Sequence, residues 1–234
     1  MIENKIFIIG ALFILTFGNA QEENANLILS YPEESEISFF QYPEDTNAYA
    51  IYNSRAETSN EYPEQLLESI ISATNQEWVD YNTLGGAEKA SKKKQSHFDK
   101  IKTMDKGKNY FELAHKLTFE VGAVSSTIIK FFTHFQEMEV LSGVAVMQFV
   151  DGRWQKTSHT SLSTLSIVVM RMKPEVLEGI VLLNSDDPNI KALAERVTRD
   201  GVLNLSLLED EFRSWYSPEK DEAKIELYKD PKTW

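Results

Sequence analysis

His115 is the residue in this chain best placed to do chemistry. It stands in a run where Phe111, Leu113, His115, Leu117, Phe119 and Val121 alternate with Glu112, Ala114, Lys116, Thr118 and Glu120. The alternation puts its imidazole on an apolar face, where burial and neighbours shift histidine ionisation readily, so it could act as a general base or orient a ligand. The competing reading is a neutral core histidine bonded to a backbone or hydroxyl group. That reading is preferred, because no acid partner can be named from the pattern. Tyr81 and Tyr110 are candidate hydroxyl donors, although tyrosines at element ends commonly serve packing.

Other chemistries find less support. His97, His115, His134 and His159 show neither of the short spacings that aim two imidazoles at one ion, so no metal site is expected. Asn184, Asp186, Asp187 and Asn189 are rich in oxygen but lack the spacing of a calcium loop, and Asp187-Pro188 is explained by helix capping. There is no Gly-x-Ser-x-Gly, and Gly85-Gly86 lacks the spacing of a phosphate loop. Asn204-Leu205-Ser206 matches a glycosylation sequon, which capping by Ser206 explains equally well. With no cysteine among 234 residues, thiol nucleophiles, thiolate metal sites and disulfides are excluded, and no cofactor is expected.

A formal net charge of -12 argues against a surface that tracks nucleic-acid phosphates. The charge is uneven. Acids dominate from Glu22 to Asp80, where Arg55 is the only base. From Glu88 to Lys108 the balance reverses, with Lys89, Lys92, Lys93, Lys94, Lys100, Lys102, Lys106 and Lys108 against Glu88, Asp99 and Asp105. This stretch reads as the solvated side of a helix with Phe98, Ile101 and Met104 as its apolar edge. It also reads as a docking patch for an anionic ligand or partner, or as the intramolecular counterpart of the acidic third.

The elements that must position these groups follow from periodicity. Residues 1–20 read as a signal peptide: Lys5, an apolar run from Ile6 to Phe17, then Gly18-Asn19-Ala20 with cleavage after Ala20. Twelve apolar residues make a helix of about 18 Å, too short for a hydrocarbon core of about 30 Å. A periplasmic or secreted protein without a membrane anchor after cleavage is therefore expected. In the segment 21–61, Glu36–Tyr42 and Ala48–Tyr52 are candidate short strands. Pro63 opens a helix with Leu66, Leu67, Ile70, Ile71 and Thr74 as its stripe, and Thr74 to Glu77 form a capping box for a second helix carrying Trp78. The alternating run is a strand with one buried face. Ile128–Phe135, with Ile129, Phe131, Thr133 and Phe135 as its richer face, and Val144–Val150 are further strands. Asp151-Gly152 closes a two-residue hairpin that pairs Phe149 with Trp154. After it, Leu162, Leu165, Val169, Met172 and Val176 keep helical spacing with a break at Pro174, against a competing strand over Ser166–Met172. Asp187 and Ser206 cap two more helices, and residues 217–234 read as a polar tail.

The fold class is thus α+β: N-terminal helices packed on a curved antiparallel meander of about four strands, followed by a helical C-terminal segment. Pro63-Glu64 opening the first helix, Trp78 in the second, and the closing Val150-Asp151-Gly152-Arg153-Trp154 resemble the cone-shaped nuclear-transport-factor-2-like (cystatin-like) superfamily over 62–158. The resemblance implies a sheet wrapped on helices, with a pocket in some members. Residues 159–216, a helical extension packed on the domain, depart from the minimal fold. Isomerases of that family use a carboxylate base, and the buried faces of these strands carry no Asp or Glu. The preferred expectation is an exported, non-enzymatic binding or accessory protein holding a small apolar ligand between sheet and helices, lined by Trp78, His115 and Trp154. The alternatives are an isomerase- or dehydratase-type enzyme using His115, and a protein-interaction module acting through the sheet's outer face or the lysine helix, as a homodimer.

Overall fold

The computed structural model describes residues 37–86, 93–136, 139–158, 160–215 and 222–233; the expected signal peptide, Lys89, Lys92 and His159 lie outside them. Six antiparallel strands form one sheet. Four run as a meander: β3 (Tyr110–Val121), β4 (Val124–His134), β5 (Leu141–Val150) and β6 (Arg153–Lys156). The two short strands expected near the N-terminus, β1 (Ser38–Gln41) and β2 (Asn47–Tyr49), lie end to end along the free side of β3. The class is α+β, with helices before and after the meander.

Local chemistry sets the turns. Asp151 and Gly152 both have positive φ (52° and 76°), which is the type I′ hairpin, and Phe149 faces Trp154 in the predicted register. Gly122-Ala123 makes the same turn between β3 and β4, and Asp200-Gly201 makes one that periodicity alone did not suggest, between β7 (Thr198–Arg199) and β8 (Val202–Leu203).

Helices α1 (Pro63–Ser72), α2 (Gln76–Tyr81) and α3 (Gln95–Thr103) precede the meander. The cap of α2 is Asn75, whose side chain accepts from the Trp78 N–H, one residue later than the capping-box reading. After the meander the break at Pro174 is real: α4 (Ser163–Arg171) and α5 (Pro174–Leu182) are separate helices, and the competing strand is not formed. Asp187 caps α6 (Pro188–Val197) by accepting from the Asn189 and Ile190 N–H groups. The cap of α7 (Leu205–Trp215) is Asn204, not Ser206, since its Oδ1 accepts from the Leu207 N–H. The C-terminal stretch is anchored rather than a free tail: α8 (Glu222–Tyr228) ends on buried Tyr228, and Asp230 is buried just beyond it.

Two apolar clusters flank the sheet. One joins Leu66, Leu67 and Ile71 of α1 to Phe111, Leu113, Ile129, Phe131, Ala145 and Met147. The other joins Leu117, Phe119 and Ile128 to the buried residues of α4, α5, α6 and α7. Neighbouring residues of β4, Ile128 and Ile129, go to different clusters, so the clusters occupy opposite faces of the sheet. The molecule is therefore layered as helix, sheet and helix, and the middle of β4 is buried on both sides. Gly143 is part of that packing, because a Cβ there would stand 2.9 Å from the Phe131 ring.

Candidate functional site

The position of His115 depends on an irregularity in β3. Leu113 faces Phe131 and His115 faces Lys130, so two steps along β3 match one step along β4, and Ala114 is the extra residue of a β-bulge. Its carbonyl accepts from the Tyr42 N–H at 3.0 Å. The consequence is a change of face. Phe111 and Leu113 point toward α1, whereas Leu117 and Phe119 point toward the C-terminal helices. His115 goes with the second group. Its unbroken alternation with Leu113 in sequence therefore does not place the two on one face.

His115 is 1% exposed, and its Nε2 lies 3.0 Å from the Val169 carbonyl of α4. Burial first, then the positive charge of Lys130, pushes its pKa down to about 4; the Val169 bond and Asp230 oppose that shift. It is a neutral imidazole donating to a backbone carbonyl. Beside it, Lys130 is fully buried and ion-paired with Asp230. Burial lowers the Lys130 ammonium pKa, with Asp230 acting against it. Burial would raise the Asp230 carboxyl, but the Lys130 ammonium and the Lys232 N–H hold it below the usual range. Asp230 also donates its backbone N–H to the Arg171 carbonyl at 2.7 Å, so the pair ties the C-terminus to both β4 and α4.

The α1 side holds a different set. Trp78 is 1% exposed, and its Nε1 donates to Ser69 Oγ at 2.8 Å. Ser69 donates to Asn82 Oδ1, which also accepts from Asn60. Trp154 is half-buried, packed edge-on to Phe149, and its backbone N–H donates to the Asn60 carbonyl. Nearer solvent, Glu64 accepts from the Tyr42 hydroxyl at 2.5 Å and from Lys116 at 2.8 Å. Burial raises the Glu64 carboxyl, but these two bonds outweigh it and hold the pKa low. One turn on, burial raises the carboxyl of Glu68, against a 3.3 Å bond from Tyr52.

The three expected lining residues thus do not converge. Trp78 and Trp154 share the α1 side through Asn60, while His115 lies across the sheet. The candidate donors are also engaged: Tyr81 lies against Arg55 and Arg153, and Tyr110 stacks on His134 at 4.7 Å. Sequence reasoning passed over Lys130, Asp230 and Glu64. One signal was available for Lys130, a single charge inside Ile128-Ile129-Lys130-Phe131-Phe132. Among the described residues no group of three His, Asp or Glu side chains could hold a metal ion, and no helix is long and apolar enough to cross a membrane. No known protein family, curated protein or solved structure matches this chain.

Proposed function

We propose that this chain is an exported, non-enzymatic binding or accessory protein. The observation that carries the reading is the commitment of His115: buried, neutral and bonded to the Val169 carbonyl, it has no proton to exchange near neutral pH. Lys130, Asp230 and the Trp78 indole N–H, three further polar groups inside the fold, each serve a neighbour in the chain itself. The order of helices, then meander, supports the cone-fold family reading, and the C-terminal helical layer marks the departure from it.

A small apolar ligand would enter on the α1 side, where Trp154 is half-buried and its neighbour Phe149 is 40% exposed. Aromatic pairs at the rim of an apolar cluster offer large contact area with little rotamer entropy to lose. The test is saturable binding of the amphipathic fluorophore anilinonaphthalene sulfonate, through its aromatic body, by the purified protein. Trp154→Ala is expected to weaken binding at least about tenfold, while His115→Gln leaves it unchanged. Absence of saturable binding, or equal loss in both variants, would overturn the reading. Export is tested by sequencing the N-terminus of the mature protein, which should begin at Gln21.

A further inference from the structure

Two arginines converge on one tyrosine ring. Arg55 lies in the short 3-10 helix Arg55–Glu57, Tyr81 ends α2, and Arg153 opens β6 just after the Asp151-Gly152 turn. Backbone bonds bring these three segments together. The Trp154 N–H donates to the Asn60 carbonyl at 2.8 Å, and the Lys156 N–H donates to the Asn82 carbonyl at 2.8 Å. The guanidinium carbon of Arg153 stands 4.5 Å from the centre of the Tyr81 ring, and that of Arg55 stands 5.1 Å from it. One ring therefore gathers two positive charges that come from distant parts of the chain.

The donors of this cluster are almost unused. A cation held on a ring face spends none of its N–H groups on the contact. Among the described residues the Arg153 guanidinium has no acceptor, and its Nε is buried without a partner. Arg55 meets one acid, Glu77, at 3.5 Å, with side chains 45% and 82% exposed, a contact of the kind that contributes least. A buried N–H without an acceptor is rare in folded proteins and calls for something to fill it. Guanidinium forks match the paired oxygens of phosphate and carboxylate alike, but a tetrahedral oxyanion has oxygens enough for two forks at once. We infer that Arg55 and Arg153, gathered on Tyr81, form a binding site for a tetrahedral oxyanion, the phosphate or sulfate group of a ligand, which displaces Glu77 from Arg55. The inference stands on these two arginines and is separate from the apolar-ligand reading.

Nuclear magnetic resonance of the isotope-labelled protein tests it, with the arginine Nε–H signals followed during titration with inorganic phosphate, inorganic sulfate or acetate at constant ionic strength. Saturable shifts are expected at Arg55 and Arg153 with phosphate or sulfate, and the tighter of the two identifies the group the site takes. Acetate, which fills a single fork, should bind at least about tenfold more weakly. Arg153→Lys keeps the charge but loses the fork, and should weaken binding at least about tenfold. Glu77→Gln, an exposed change that removes the competing carboxylate, should tighten it about two- to threefold. Circular dichroism confirms that both variants keep the fold. No saturable shift at the two arginines, acetate binding as tightly as phosphate and sulfate, or binding that both variants leave unchanged would each overturn the inference.

Discussion

The two faces of the sheet are built on different principles. The C-terminal face is a large apolar cluster with one ionic centre, in which Lys130 and Asp230 are buried against each other next to a neutral histidine. The α1 face has a smaller apolar cluster, bordered by hydrogen-bonded networks running from Trp78 through Ser69 to Asn82, and from Tyr42 through Glu64 to Lys116. A buried ion pair is costly to break and cheap to replace whole, because the loss comes from the charge left behind. Networks of separate hydrogen bonds lose one bond at a time. The ionic face should thus fail abruptly and with pH, and the networked face gradually.

The largest effect is expected at the ion pair. Lys130→Met alone or Asp230→Leu alone should cost about 3–5 kcal/mol, while the double variant stays close to the parent protein. Chemical denaturation of the four proteins gives the cycle. A double variant as unstable as the sum of the singles would erase the distinction between the faces.

Next comes acid sensitivity. An unfolded histidine takes up its proton near pH 6.5, while folded His115 does so only near 4. Between those values the unfolded chain binds more protons, so folding stability falls as pH falls, by about 3 kcal/mol across the window. Asp230, held low in the folded state, adds a further loss at more acid pH, as its carboxyl protonates. The raised carboxyls of Glu68 and Glu209 slope the other way, so the comparison is with His115→Gln. That variant should lose the slope between pH 4 and 6.5 in a urea titration. An unchanged slope would mean that the imidazole is not neutral and buried.

Smaller effects belong to the α1 face. Trp78→Phe keeps the ring packing but removes the donor to Ser69, which should cost about 1–2 kcal/mol. Lys116→Gln should cost about 1 kcal/mol or less in thermal unfolding, since both members of that pair are about a quarter exposed. A loss of several kcal/mol at Lys116 would place the ionic behaviour on the wrong face.

Much of this architecture was legible in local pattern. Side-chain alternation found β3 to β6, the Asp151-Gly152 turn set the Phe149 to Trp154 register, and Pro63, Pro174 and Asp187-Pro188 marked helix starts. What stayed hidden was non-local. A bulge leaves no mark on alternation, because Ala114 sits in the sequence like any outward residue, and only its pairing with β4 shows the change of face. Lys130 and Asp230 are 100 residues apart, so neither predicts the other. For the same reason the expected trio of Trp78, His115 and Trp154 could be chosen by residue type yet fall on two sides of the sheet.

The change of face at Ala114 is the claim on which the rest stands, and deleting that single residue tests it most directly. If Ala114 is an unpaired bulge, its removal leaves Leu113 opposite Phe131 and His115 opposite Lys130, as adjacent residues of a regular strand. Chemical denaturation should then show a cooperative transition weakened by about 1–2 kcal/mol, chiefly from the bond to Tyr42. Deleting Thr118, paired with Thr127 in the regular part of the strand, should abolish the transition by turning one flank inside out. If loss of Ala114 proves as destructive as loss of Thr118, the strand has no bulge and the two-faced account is wrong.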